Sequence, residues 1–76
     1  MRLRYFVYFR EENGYERVFG ITSRSLLGAK QYATKLLKSD MSRFAIETIE
    51  IEDRNLTVPF WIAHKFVGSR KWSSFT

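Results

Sequence analysis

Few residues in this chain are able to do acid–base or metal chemistry. The sequence has one histidine, His64, and no cysteine, so disulfides and thiolate metal ligands are excluded. His64 lies between Trp61 and Phe66 in an apolar segment, where a structural histidine is expected more often than a catalytic one. No nucleophile and base stand near it in a recognisable order. The sequence therefore predicts a protein that is not an enzyme.

Acidic residues form one cluster, which consists of Glu47, Glu50, Glu52 and Asp53. Paired carboxylates bind hard cations or carry out acid–base steps in other proteins. Here they alternate with Ile49 and Ile51, as the solvent-facing residues of a strand do. The glycines at positions 14, 20, 28 and 68 are too scattered to form a phosphate-binding loop. We expect no metal site and no cofactor.

Basic and aromatic side chains alternate with apolar ones in the first ten residues. The apolar positions are Leu3, Tyr5, Val7 and Phe9. The other positions, called here the arginine row, are Arg2, Arg4, Phe6, Tyr8 and Arg10. Successive side chains of a strand point to opposite faces, so one set predicts a core face and the other a mixed surface. Such a surface can bind single-stranded nucleic acid. Alternatively, Phe6 and Tyr8 are covered by the fourth strand, by residues 72–75 or by a second copy of the protein.

A second basic surface is predicted on a helix. From Ser25 onwards, apolar residues recur at a spacing of three and four: Leu26, Ala29, Tyr32, Ala33, Leu36 and Leu37. Ser25 or Ser23 is the expected N-cap, and the helix should end near Lys38. Its polar side has no acid and carries the helix stripe, defined as Lys30, Gln31, Lys35 and Lys38. This stripe either contacts phosphates without sequence preference or only keeps the protein soluble. We expect the helix stripe, rather than the arginine row, to be the contact surface.

The remaining segments predict strands around this helix. Asn13 and Gly14, both tolerant of positive φ, predict a hairpin that leads into a second strand over residues 15–22. Residues 43–53 predict a third strand with a β-bulge near Glu47, because the apolar phase slips by one residue there. Residues 56–67 predict a fourth strand, edge or bulged at Pro59.

The C-terminal residues 72–76 are expected to add a fifth strand or to cap the core. We therefore predict an α+β fold in a single domain, residues 1–76. An antiparallel sheet of four or five strands packs on one helix, in the order β-β-α-β-β with a possible last strand.

Charge is unevenly distributed along the chain. The net charge of +5 is the sum of +5 in residues 1–38, −3 in residues 39–55 and +3 in residues 56–76. A positive surface favours polyanions and acidic protein patches as partners. No apolar run approaches the roughly 20 residues that a membrane-spanning helix needs. We expect a cytoplasmic protein with no membrane partner.

Several segments resemble small phage-encoded proteins, the type I-F anti-CRISPR proteins among them. The first segment runs from Ile21 to Lys35, a strand followed by a helix with Ser25-Leu26, Ala29-Lys30 and Lys35. Further similar segments are Ile46-Glu47-Thr48, Phe60-Trp61-Ile62 and Lys71-Trp72. Together they cover about half of the chain. Gly28, Gln31 and the arginine row depart from the family pattern.

This resemblance implies a small sheet that carries one helix. It also implies docking on the backbone subunits of a CRISPR surveillance complex, in the channel where target DNA pairs with guide RNA. Lys30 and Lys35 are the corresponding helix lysines. We expect a non-catalytic phage or mobile-element inhibitor of a host defence complex, with Phe6, Tyr8 and Trp61 as apolar anchors. The alternative is a free-standing protein that binds DNA or RNA without sequence preference. Either is expected to be a monomer or a weak dimer.

Overall fold

The computed structural model describes residues 3–55, 60–69 and 71–74. It contains five strands and one helix, in the order β1 (Leu3–Glu11), β2 (Glu16–Ser23), α1 (Leu26–Lys38), β3 (Ile46–Asp53), β4 (Phe60–Phe66) and β5 (Ser73–Ser74). The strands form one antiparallel sheet in the spatial order β2-β1-β3-β4-β5. The predicted α+β fold and the order of its elements are confirmed. No helix in the described part of the chain is long and apolar enough to cross a membrane.

The core lies between α1 and one face of the sheet. From β1 it takes Tyr5, Val7 and Phe9, the apolar positions that the alternation predicts. The other fully enclosed side chains come from the neighbouring strands and the helix: Ala29, Ala33, Ile49, Ile51 and Ala63. The ring of Phe9 meets that of Phe19 edge to face, with centroids 5.7 Å apart. The helix presents small alanines to the sheet, so the large apolar side chains at the centre of the core come from the strands.

Tyr5 is the one tyrosine in this core, and it lies opposite Asp53 in the sheet. Burial, together with the Asp53 carboxylate, raises the pKa of the Tyr5 hydroxyl above its ordinary value. The folded protein therefore holds this proton more tightly than the unfolded chain does. Stability that is present below the unfolded pKa is lost as the pH rises through the alkaline range.

We predict that the melting temperature falls between about pH 9 and about pH 11, the range in which an ordinary tyrosine titrates. In the Tyr5→Phe variant this fall should be smaller, because the group that resists ionisation is gone. Thermal melts of both proteins across that range measure the difference. Identical pH profiles would contradict the prediction.

The β1–β2 hairpin forms at Asn13 and Gly14, as the sequence predicts. Only Gly14 has a positive φ, of 95°, and Asn13 does not. The Gly14 N–H donates to the Glu11 carbonyl at 3.0 Å, and the Glu11 N–H donates to the Tyr15 carbonyl at 2.7 Å. These bonds define a three-residue loop that ends in a left-handed glycine. Asn13 contributes its side chain instead, because its Oδ1 accepts from the Tyr15 N–H at 3.1 Å.

The helix begins where the sequence predicts. The Ser25 side chain accepts a hydrogen bond from the Gly28 N–H at 3.2 Å, which makes it the N-cap. One apolar assignment is wrong: Tyr32 is 49% exposed. It follows the helical spacing, but it lies about 100° around the axis from Ala33, outside the narrow stripe that reaches the sheet.

The predicted bulge in the third strand is confirmed, although the strand begins later than expected. Residues 39–45 form turns, and β3 starts at Ile46. Arg10 pairs with Thr48 while Glu11 pairs with Ile46, which leaves Glu47 as the extra residue. The bulge allows Ile46 and Ile49 to face the same core although they are three residues apart.

The fourth strand is also irregular. Ile51 pairs with Ala63 and Glu52 pairs with Trp61, so Ile62 is the extra residue. Pro59 lies outside the described residues. β4 is not an edge along its whole length, because β5 pairs with it at Ala63 and His64. The C-terminal segment therefore adds a short strand, and Trp72 also packs against the core, so both predicted roles occur.

Candidate partner-binding surfaces

The arginine row lies on the face of the sheet opposite the core-facing side chains of β1. Arg4, Phe6, Tyr8 and Arg10 alternate there with the buried residues of β1. Arg2 lies outside the described residues. The sheet register brings acidic and aromatic residues of the neighbouring strands beside this row: Glu16, Glu50, Glu52 and Trp61.

Arg10 is paired on both sides. Its Nη1 lies 2.8 Å from Glu16 Oε2, and its Nε donates to Glu50 Oε1. The guanidinium carbon is 5.4 Å from the ring centroid of Trp61. The charge of Arg10 is therefore largely satisfied within the sheet.

The two aromatic residues of the row are also held by cross-strand contacts. The Tyr8 hydroxyl donates to Glu52 Oε1 at 3.1 Å, and the Tyr8 and Trp61 ring centroids are 4.5 Å apart. The Arg54 guanidinium lies 4.2 Å from the Phe6 ring centroid. Among the predicted covers, the fourth strand accounts for Tyr8 through Trp61. Phe6 is covered instead by Arg54, which the sequence did not single out.

Arg54 anchors this side of the network. Its Nε lies 2.7 Å from Glu52 Oε1. A hydrogen bond with the Tyr8 hydroxyl raises the pKa of Arg54 above its ordinary value, and Glu52 acts in the same direction. Gly20 of β2 leaves room for Phe6, since a Cβ there would come within 3.3 Å of Phe6 Cε1. Of the described arginines in the row, Arg4 is the exposed one, and no ion pair involves it within the described ranges.

The residues of the helix stripe differ in their exposure to solvent. Gln31, Lys35 and Lys38 are exposed on the outer side of α1. Lys30 is half-buried, and its Nζ lies 5.9 Å from the ring centroid of Trp72. Lys30 therefore flanks the helix and does not lie on the surface formed by the other three. The helix stripe defined from the sequence therefore forms one exposed surface only at Gln31, Lys35 and Lys38.

Two exposed apolar side chains share the outer side of the helix. Leu27 is 64% exposed and Tyr32 is 49% exposed. With the exposed part of the stripe they form what is called here the outer helix surface: Leu27, Gln31, Tyr32, Lys35 and Lys38. The sequence pattern assigned Tyr32 to the core and left Leu27 out. The absence of acidic residues from the helix was the only signal that pointed to this surface.

The groups of this chain that could take part in acid–base chemistry are His64 and the carboxylates of β3. His64 lies beside Glu50 in the sheet register, with its ring edge to face with Phe66 at 6.0 Å. Within residues 3–55, 60–69 and 71–74, no group of three histidines or carboxylates could hold a metal ion.

No protein-family model, curated protein or solved structure matches this chain. Resemblance to type I-F anti-CRISPR proteins stays a prediction. The two surfaces differ in whether their basic residues are paired with carboxylates: Arg10 is paired, and no ion pair among the described residues involves the helix.

Proposed function

We propose that this protein is a non-catalytic binding protein that contacts a nucleic-acid backbone through the outer helix surface. One observation carries this proposal. The ion pairs among the described residues join Arg10, Arg17 and Arg54 to glutamates of the strands, and none of them involves a helix residue. The basic residues of the helix therefore have their charge available for an external anion.

The geometry of the helix suits a phosphate backbone. Lys35 and Lys38 are one turn apart on a helix of 13 residues, which is about 20 Å long. Gln31 lies one turn before Lys35 and donates hydrogen bonds without adding charge. The exposed ring of Tyr32 offers a stacking surface for an unpaired base. Phosphate contacts of this kind position a protein on nucleic acid without reading its sequence.

The arginine row is the less suitable contact. An incoming phosphate would have to compete with Glu16 and Glu50 for Arg10. The rings of Tyr8 and Trp61 already contact each other, so stacking on a base would require them to separate. Both requirements add a cost that the outer helix surface does not have.

We propose a narrower role as well: a phage or mobile-element inhibitor that docks on a host defence nucleoprotein. The support for this role is the resemblance of residues 21–35 and of three shorter segments to type I-F anti-CRISPR proteins. In this role the outer helix surface contacts nucleic acid or the acidic protein that holds it, while Lys30 supports the helix beside Trp72.

A salt titration with naked nucleic acid tests the broader proposal. We expect micromolar binding of mixed-sequence DNA at low salt, with a log–log slope of about −2 to −4 for two to four phosphate contacts. Fluorescence anisotropy with duplex and single-stranded oligonucleotides measures both quantities. No binding at low salt would contradict a nucleic-acid contact and would leave an acidic protein surface as the partner.

An affinity capture from a host lysate tests the narrower role. A defence complex that is captured equally before and after nuclease treatment supports direct docking on its protein subunits. A complex captured only without nuclease shows that nucleic acid bridges the contact, and it would overturn direct docking. Capture of no defence complex in either sample would overturn the inhibitor role and leave the salt titration unaffected.

A further inference from the structure

Strand β2 forms an outer edge of the sheet, and one set of its backbone hydrogen-bonding groups has no partner in the part of the chain that the structure describes. Its eight residues pair with β1 on one side, and no other described strand pairs with its outer side. In an antiparallel pair, alternate residues direct both their N–H and C=O groups to the partner. The backbone bond between Glu11 and Tyr15 shows that Tyr15 directs its N–H and C=O groups to β1. The odd-numbered residues of β2 therefore do the same. The outward set is Glu16, Val18, Gly20 and Thr22.

β2 has few of the features that protect an edge strand, and its charged residues, Glu16 and Arg17, both lie at the hairpin end. Natural edge strands commonly carry a lysine, a proline or a bulge that prevents pairing with another chain. Residues Glu16–Ser23 include no proline and no lysine, and their register with β1 is continuous. A long regular edge of this kind is a template for one more strand.

We infer that β2 pairs antiparallel with β2 of a second copy of this chain, centred on Gly20. In this register Val18 lies opposite Thr22 of the partner, and Glu16 lies opposite Arg24 of the partner. Val18, Gly20 and Thr22 direct their backbone groups outward, so about six hydrogen bonds form across the three pairs that these residues make. By symmetry the Glu16–Arg24 charge pair occurs twice. This inference rests on the edge of β2 alone and is independent of the proposed function.

Charge selects this register among those that the backbone allows. A shift by one hydrogen-bonded pair toward the hairpin places Glu16 opposite Thr22, and a shift the other way places Val18 opposite Arg24. Only the register centred on Gly20 brings opposite charges face to face. It also places Phe19 opposite Ile21 on the helix side, where both are half-buried against the core. Cross-strand apolar and charge pairs of this kind stabilise a sheet.

The surroundings of β2 leave space for the partner strand. A groove of about 800 Å³ lies between residues 16–19 and the turns of residues 39–44. In the inferred register the partner's residues 21–24 run beside this groove. The two-fold axis is perpendicular to the sheet, so both α1 helices lie on the same side of one ten-stranded sheet. The dimer therefore presents two outer helix surfaces in the same direction.

The first test is the oligomeric state of the whole chain in solution. Sedimentation velocity over a wide concentration range should show a reversible species with twice the 9.1 kDa mass of one chain. In Val18→Pro this species should disappear, because the outward N–H is removed while the bonds to β1 remain. Val18→Thr keeps the N–H and should still dimerise. A wild-type chain that stays monomeric, or a dimer that persists in Val18→Pro, would overturn the inference.

The second test is of the register. Glu16→Arg and Arg24→Glu each place like charges opposite one another, and each should weaken its own dimer by roughly tenfold or more. When the two variants are mixed, opposite charges face each other again and a heterodimer should form. Since Glu16 also pairs with Arg10, a thermal melt of each variant verifies that it is folded. If the mixture of two folded variants gains no dimer, the register centred on Gly20 is wrong.

Discussion

We expect the Phe9→Ala variant to lose about 3–5 kcal/mol of its free energy of unfolding, the cost of removing a buried phenylalanine from a packed core. Phe9 lies in the second half of β1, is fully buried, and has the largest of the fully buried side chains among the described residues. A domain of this size has a total of only about 4–11 kcal/mol. A large share of the variant should therefore be unfolded at physiological temperature.

The cavity left by Phe9 would be hard to fill. The helix residues that are completely buried are Ala29 and Ala33, which have no rotatable side chain that could move into the space. Phe19, which meets Phe9 edge to face, lies near the β2 edge and would lose its partner ring. The loss in free energy of unfolding should therefore lie near the upper end of the range for a buried phenylalanine-to-alanine substitution.

Phe66→Ala is the matched control, since it removes the same side chain from the sheet. Phe66 is 57% exposed near the end of β4, so its loss should cost about 1 kcal/mol or less. Urea unfolding followed by circular dichroism gives both values. Equal losses in the two variants would contradict the placement of the core.

Local sequence patterns predicted most of the fold. The alternation in β1 and the three-and-four spacing in α1 depend on residues that are close in the chain, and both elements lie where these patterns place them. The bulge in β3 was predictable for the same reason, because the slip in apolar phase occurs within a few residues of Glu47. The type of hairpin loop was not, since Asn13-Gly14 suits both a two-residue turn and a three-residue loop.

Whether the side chains of the candidate surfaces are paired, covered or exposed depends on contacts between residues that are distant in the sequence. Arg10 is paired with Glu50, which is 40 residues away, and that meeting depends on where the bulge places the β3 register. Tyr32 satisfies the helical spacing, but the width of the stripe that reaches the sheet depends on the residues it packs against. The position of Trp72 beside Lys30 and Lys65 likewise needed the tertiary structure. Sequence patterns therefore identified the basic residues without showing which of them keep a free charge.

We expect the double variant Lys35→Glu, Lys38→Glu to bind nucleic acid about a hundredfold more weakly at low salt. Each lost lysine–phosphate contact makes the negative slope of log affinity against log salt concentration less steep by about 1. The magnitude of the slope should therefore decrease by about 2. Both side chains are exposed, so the fold should be kept, with a small loss of stability because two carboxylates then lie at the C-terminal turn of α1. Anisotropy titrations at several salt concentrations give the affinity and the slope together.

A control with the same change in net charge separates contact from overall attraction. Arg4→Glu, Lys71→Glu alters two exposed cations away from α1, one of them in the arginine row. Long-range attraction depends on total charge and is screened by salt, so both double variants weaken it alike. Counterion release depends on the phosphates actually contacted, so only the helix variant should reduce the slope by about 2. If the control variant instead showed the larger decrease in slope, the nucleic acid would contact the sheet face and not the helix. On that face Arg10 would have to break its ion pairs with Glu16 and Glu50 before it could bind a phosphate.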